Sequence, residues 1–208
     1  MVAWGRKGKK IIQHFQKHDK ILFSIIKQSE FVSELQSDEP GNYFFRLCRE
    51  IVGQQLADKA SKTIFARFEK LFSTKKITPR KALKLSHQAI RKSGLSNAKA
   101  RYIKNLAKKV ISKELNFGSF KNLSDEQIIE KLTVVKGIGP WTSEMFLMFT
   151  LAREDVFSHG DLGLRKAIKK LYGFKKEPTR EQIEKISSKW RPYRTYACLI
   201  LWKSIENS

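Results

Sequence analysis

Apolar positions recur three and four residues apart along nearly the whole chain, and no segment sustains the two-residue alternation of a half-buried strand. The pattern predicts an all-α protein of about ten short helices. Thr78 followed by Pro79 is an N-cap with proline at the first helical position, opening a helix that runs toward Lys92 and stops before Gly94. Ser96 or Asn97 caps the next helix, whose stripe of Tyr102, Ile103, Leu106 and Val110 ends near Ile111. Ser124 with Gln127 and Thr179 with Gln182 each fit a capping box, in which side chain and backbone satisfy each other's orphan N–H groups. Pro140 and Pro192 both suit a first helical turn, and further helices are expected over residues 20–35, 43–56, 58–72 and 162–171. Residues 37–42, with Pro40 and Gly41, read as a loop.

At 208 residues the chain is one compact domain or two small ones, and 14 Phe and 4 Trp within a 41% hydrophobic composition can fill a core. Intrinsic disorder is therefore not expected. No apolar run approaches the roughly 18 residues of a membrane span, and no apolar h-region follows the basic N-terminus. The expected location is intracellular, in the cytoplasm and nucleoid or in the nucleus, with no membrane partner. Cys48 and Cys198 stand far apart without a C-x-x-C pair, so they make neither a zinc site nor a four-cysteine iron–sulfur cluster and read as small core residues.

Charge changes the picture more than length does. There are 42 Lys or Arg against 20 Asp or Glu, a formal net charge of +22. Residues 70–113 carry 14 basic side chains and no acidic one. A merely solubilising surface intersperses both signs, so this helical one-sign segment reads as a face for a polyanion, nucleic acid before a lipid surface.

The most informative segment is Val135-Lys136-Gly137-Ile138-Gly139-Pro140-Trp141-Thr142. A helix ending near Val134, two glycines one residue apart, and a new helix opening at Pro140 make a helix-hairpin-helix. Glycines let backbone approach a phosphate, and the N–H groups of the second helix point at it with a favourable dipole. An ordinary αα-turn has the same local pattern. Beyond it lie Asp155-Val156-Phe157-Ser158-His159-Gly160-Asp161-Leu162-Gly163-Leu164, Ile51-Val52-Gly53-Gln54-Gln55-Leu56, Gly94-Leu95-Ser96, and Trp190-Arg191-Pro192-Tyr193-Arg194 ahead of Leu201-Trp202. In order and spacing, over about residues 40 to 203, the chain resembles the helix-hairpin-helix DNA glycosylases, specifically the 3-methyladenine DNA glycosylase II branch.

That resemblance implies a two-lobed all-α fold without an iron–sulfur cluster: residues 41–150 as a lobe holding the hairpin, residues 1–40 with 151–208 as a discontinuous second lobe, and an active-site cleft between them. It implies a base-excision-repair enzyme, a monomer acting on damaged double-stranded DNA, that rotates an alkylated purine out of the duplex and hydrolyses its N-glycosidic bond. Asp161 matches the catalytic aspartate, and its position also suits the N-cap of the following helix. A carboxylate there stabilises the positive charge that develops on the sugar, or orients the attacking water. Trp141 stands where bifunctional relatives carry a nucleophilic lysine, so the resemblance implies a monofunctional glycosylase that leaves an intact abasic strand.

Base-pocket candidates are Trp141, Met145, Leu162, Trp190 and Tyr193; Trp141 reads equally as a core tryptophan. Leu95, Ser96 and Asn97 match a loop near DNA, with Leu95 the first choice for an apolar wedge or else a contact capping the preceding helix. Gln54, Gln55, Lys99, Lys136, Gly137, Gly139 and Thr142 complete the expected DNA contacts, and the carbonyls of Thr133, Val135 and Ile138 match a Na+ or K+ site formed when DNA is present. No cofactor is expected to be required. The chain departs from the family where Ser158-His159 replaces a common proline-containing segment, which bears on the approach of Asp161, and where Met145 and Leu162 replace aromatics, which leaves fewer aromatic walls and bears on the breadth of substrates. Two other readings stay open: a non-catalytic helix-hairpin-helix DNA-binding or damage-sensing module, and a bifunctional glycosylase and lyase.

Overall fold

The computed structural model describes residues 6–26, 35–72 and 76–206. Among the described residues the helices are, in chain order, α1 (Arg6–His18), α2 (Lys20–Ile26), α3 (Tyr43–Gly53), α4 (Asp58–Glu69), α5 (Pro79–Lys84), α6 (His87–Lys92), α7 (Asn97–Ile111), α8 (Asp125–Thr133), α9 (Pro140–Phe149), α10 (Leu162–Leu171), α11 (Arg180–Ser187) and α12 (Arg194–Glu206), with three short 3-10 turns. No strand occurs among the described residues, and no helix is long and apolar enough to cross a membrane. The chain divides into two compact units, Ser37–Leu151 and Met1–Gln36 with Ala152–Ser208.

Local capping explains most boundaries. Both capping boxes form, Ser124 with Gln127 and Thr179 with Gln182, and the Ser96 hydroxyl accepts the Lys99 N–H to open α7. The single helix expected from Pro79 to Lys92 is instead two. Leu85 turns extended and Ser86 recaps the chain by accepting the Ala89 N–H, while the Lys104 ammonium donates to the carbonyls of Leu83 and Leu85 and satisfies the end of α5. Pro192 does not enter a helix: it follows a cis bond in the turn before α12. The helix expected over residues 20–35 is seen as α2, and residues 27–34 lie outside the described residues.

In the Ser37–Leu151 unit, α3 buries Phe44, Leu47, Cys48, Ile51 and Val52, and Tyr43 meets Phe146 edge to face at 5.3 Å within a cluster with Phe117 and Phe120. Burial pushes the Cys48 thiol well above its ordinary range, which makes it an inert core group. Cys198 is buried in the other unit.

The discontinuous unit is organised around Asp19, a buried carboxylate at the start of α2. One oxygen accepts the N–H groups of Ile21 and Leu22, and the other accepts the Tyr172 hydroxyl at 2.6 Å and the Trp190 indole N–H at 2.9 Å. Four donors satisfy a charge that would otherwise be costly to bury, and they tie the N-terminal helices to the segment before α12. Asp155 ion-pairs with Arg191 and Arg194, and Thr195 Oγ1 accepts the Val156 N–H, which fixes the strand of chain leading to Asp161.

Candidate active site

Asp161 occupies the N-cap of α10, and the residue is 8% exposed. Oδ1 accepts the Leu164 N–H at 2.8 Å and the Trp202 indole N–H at 3.0 Å. The carboxylate is thus both the helix cap and a group held by a second element, α12. Gly163 makes room for this: a Cβ there would lie 3.1 Å from Asp161 Oδ1 and 3.2 Å from the Trp202 ring. Trp202 was legible only as part of the motif, because the contact spans 41 positions. His159 pairs with Glu184, Nε2 lying 2.8 Å from Oε2, and its ring is edge-on to Phe157. Burial lowers its pKa, assisted by Arg180 and Arg194 and opposed by Glu184.

The same unit corrects one pocket assignment and qualifies two. Trp190 is fully buried and its N–H is committed to Asp19, so it is a core residue and not a wall for a ligand. Tyr193 is half-buried and packs edge-on against His14 at 5.4 Å. Leu162, by contrast, is 71% exposed at the start of α10.

In the Ser37–Leu151 unit the hairpin forms between α8 and α9. Gly137 has φ +96°, and a Cβ there would fall 2.2 Å from the Tyr102 ring, so both conformation and packing require glycine. Gly139 is different. It is the N-cap of α9, makes no side-chain cap, and a Cβ would meet nothing within 4 Å. Its backbone faces open space at the positive end of a helix whose first N–H groups lack intrahelical partners, the geometry that binds an anion. Lys136 is exposed beside it. Val135 and Ile138 are buried, and the Val135 carbonyl already accepts the Ile138 N–H.

A cavity of about 430 Å³ opens at this hairpin, lined by residues that include Gln55, Ser96, Lys99, Tyr102, Gly139 and Trp141. Trp141 is partly exposed there, and Met145, one turn on, is buried. Two residues expected at the DNA, Gln54 and Lys99, also bond the protein's own backbone. Gln54 Nε2 donates to the Gly137 carbonyl at 2.8 Å and to Thr142 Oγ1 at 3.1 Å, and Thr142 is buried. The Lys99 ammonium donates to the carbonyls of Val52 and Gln54, where it satisfies the end of α3, and burial lowers its pKa. Leu95 is buried, which removes it as a wedge, because its side chain packs in the core after α6. Ser96 and Asn97 are exposed, the latter bonded to His87. Gln55 is exposed at φ +57° and followed by exposed Leu56, so the α3–α4 turn projects what the Leu95 loop does not.

Residues 48–192 match the HhH-GPD superfamily base excision DNA repair protein family. The chain belongs to that family. It is 35% identical over 172 residues to DNA-3-methyladenine glycosylase 1 of Schizosaccharomyces pombe, covering 82% of this chain and 74% of the relative. It is 33% identical over 162 residues to a putative DNA-3-methyladenine glycosylase of Bacillus subtilis, covering 75% of this chain but 56% of that relative's length. Among solved structures, a 3-methyladenine DNA glycosylase of Schizosaccharomyces pombe in complex with abasic DNA superposes with a TM-score of 0.82 at 31% identity, covering 95% of this chain and 97% of that one.

Proposed function

We propose that this protein is a monofunctional DNA glycosylase that hydrolyses the N-glycosidic bond of alkylated purines of the 3-methyladenine type in double-stranded DNA. The observation that carries the reading is the Asp161 carboxylate, fixed by the Leu164 and Trp202 N–H groups in a chain whose hairpin presents open backbone at Gly139. Alkylation at N3 or N7 makes the purine cationic, so the bond from the sugar breaks with its electron pair leaving on the base, which departs neutral. Positive charge then builds on the sugar, and a nearby fixed carboxylate stabilises it before water adds. A strong general acid is unnecessary for such a leaving group.

Trp141 has no amine with which to form a Schiff base, so the hairpin supplies no lyase nucleophile at that position. Its partly exposed ring is suited to a cationic base, an interaction of about 0.5–2 kcal/mol. The hairpin N–H groups hold a phosphate without reading sequence, and the exposed Gln55–Leu56 turn is the element suited to enter the duplex. The three hairpin carbonyls of Thr133, Val135 and Ile138 are neutral oxygen donors, and Val135 retains one lone pair beyond its bond to Ile138. This donor set fits a monovalent cation, which would add positive charge beside the phosphate.

Product analysis on methylated duplex DNA tests the reading. The expected products are released 3-methyladenine and an uncut strand with an abasic site, with no covalent adduct on borohydride treatment. Strand cleavage with a trapped adduct would show a bifunctional lyase, and no release would leave a DNA-binding module.

A further inference from the structure

A second cavity, of about 310 Å³, adjoins the hairpin on α7 and is lined by Arg101, Tyr102, Lys104, Asn105, Lys108 and Lys136, with His87 at its edge. We infer that it binds a backbone phosphate of the DNA strand held by the hairpin, a contact outside the lesion. This rests on the DNA-binding reading above. Arg101, Lys104 and Lys108 share one face of α7 at spacings of three and four residues, and Lys136 reaches it from the hairpin turn. No carboxylate lines the cavity, and Arg101, Lys108 and Lys136 are all exposed. The charges of Lys104 and Lys108 oppose each other: burial first, and then Lys108, lowers the Lys104 pKa.

Like charges gathered without a counter-charge repel, and only part of this gathering has an internal explanation. Lys104 caps α5, and Lys108, in the last turn of α7, is favoured by the helix dipole. Arg101 and Lys136 have neither role. An anion resolves the repulsion for all of them. The oxygen of the Asn105 carboxamide is buried without a hydrogen-bond partner; a phosphodiester has no proton to donate to it, but rotation of the amide turns its NH2 group to that position as a donor to the phosphate.

The occupant is a phosphate and not a base. Four cationic side chains and no carboxylate line the cavity, and Gly137 packs against one face of the Tyr102 ring, the cavity's one aromatic other than His87, which limits stacking there. Tyr102 also lines the 430 Å³ cavity at Gly139 and Trp141, so the two cavities share a wall. A strand seated on the hairpin N–H groups therefore passes Tyr102 and meets Arg101 and Lys136 with an adjoining phosphate.

The test is fluorescence anisotropy with a duplex containing an abasic-site analogue, over a salt series. Arg101→Ala with Lys108→Ala is compared with Lys121→Ala and Lys131→Ala, two exposed lysines outside the cavity that remove the same charge. The cavity pair is expected to lower the slope of log K against log salt by about 1, and the control pair by much less. A scan of single methylphosphonates along each strand is expected to find one position whose neutralisation weakens the wild type and leaves the cavity pair unchanged. Equal affinities and slopes for the two pairs, or the same scan for wild type and variant, would overturn the inference while leaving the DNA-binding reading intact. A wild type that bound no duplex would overturn both.

Discussion

The indole N–H of Trp202 donates to Asp161 Oδ1 at 3.0 Å, the same oxygen that accepts the Leu164 N–H at 2.8 Å. One carboxylate oxygen is thereby fixed from two helices. Trp202→Phe keeps an aromatic ring and removes only the donor. The single-turnover rate of base release is expected to fall roughly 10- to 100-fold, with duplex affinity unchanged. A rate equal to wild type would show that the helix cap alone suffices to place Asp161.

The hairpin glycines should separate stability from DNA binding. Gly137→Ala meets both a positive φ and the Tyr102 ring, so it is expected to cost about 2 kcal/mol or more in urea unfolding. Gly139→Ala meets no neighbouring atom and should leave stability within about 0.5 kcal/mol. Its methyl group occupies the side a phosphate approaches, so duplex affinity should drop several-fold. Equal behaviour of the two variants in both assays would contradict this division.

Asp19 is expected to matter for stability alone. Asp19→Ala strands the Tyr172 hydroxyl and the Trp190 indole in the interior and removes the cap of α2, with an expected loss of about 3 kcal/mol by chemical denaturation. Tyr172→Phe removes one donor of four and should cost about 1 kcal/mol.

His14 and His159 both have pKa values lowered below 6.5, chiefly by burial. The unfolded chain therefore binds more protons than the folded one as pH falls through the unfolded value. Stability should be highest above about pH 7 and should decline through pH 6.5 toward the lowered folded values. Replacing both histidines with Gln is expected to flatten this part of a melting-temperature profile, and an unchanged profile would assign the decline elsewhere.

What could be read from sequence was local. The Ser96, Ser124 and Thr179 caps depend on side chains within three residues of the backbone they bond, and they appear as expected. The cap at Ser86 is masked by an apolar period that continues across it, and the reach of Lys104 to the carbonyls of Leu83 and Leu85 shows why the helix breaks there. Burial was not legible for single residues. Leu95 and Trp190 look like ligand-facing side chains in sequence and are core in the fold. Lys99 and Gln54 look like DNA contacts, but they bond carbonyls 45 to 47 and 83 positions away, partners that no spacing rule reveals. The pairing of Asp161 with Trp202 was hidden for the same reason.

The most direct test of the central claim is the single-turnover release of 3-methyladenine from methylated duplex DNA by wild type and Asp161→Asn, both shown by melting to be folded. Asn keeps an oxygen to accept from Leu164 and Trp202 but removes the negative charge that would face the sugar cation. The expected result is a rate at least about 100-fold lower with duplex affinity retained. An Asn variant that released the base at the wild-type rate would contradict the assignment of Asp161 as the catalytic carboxylate.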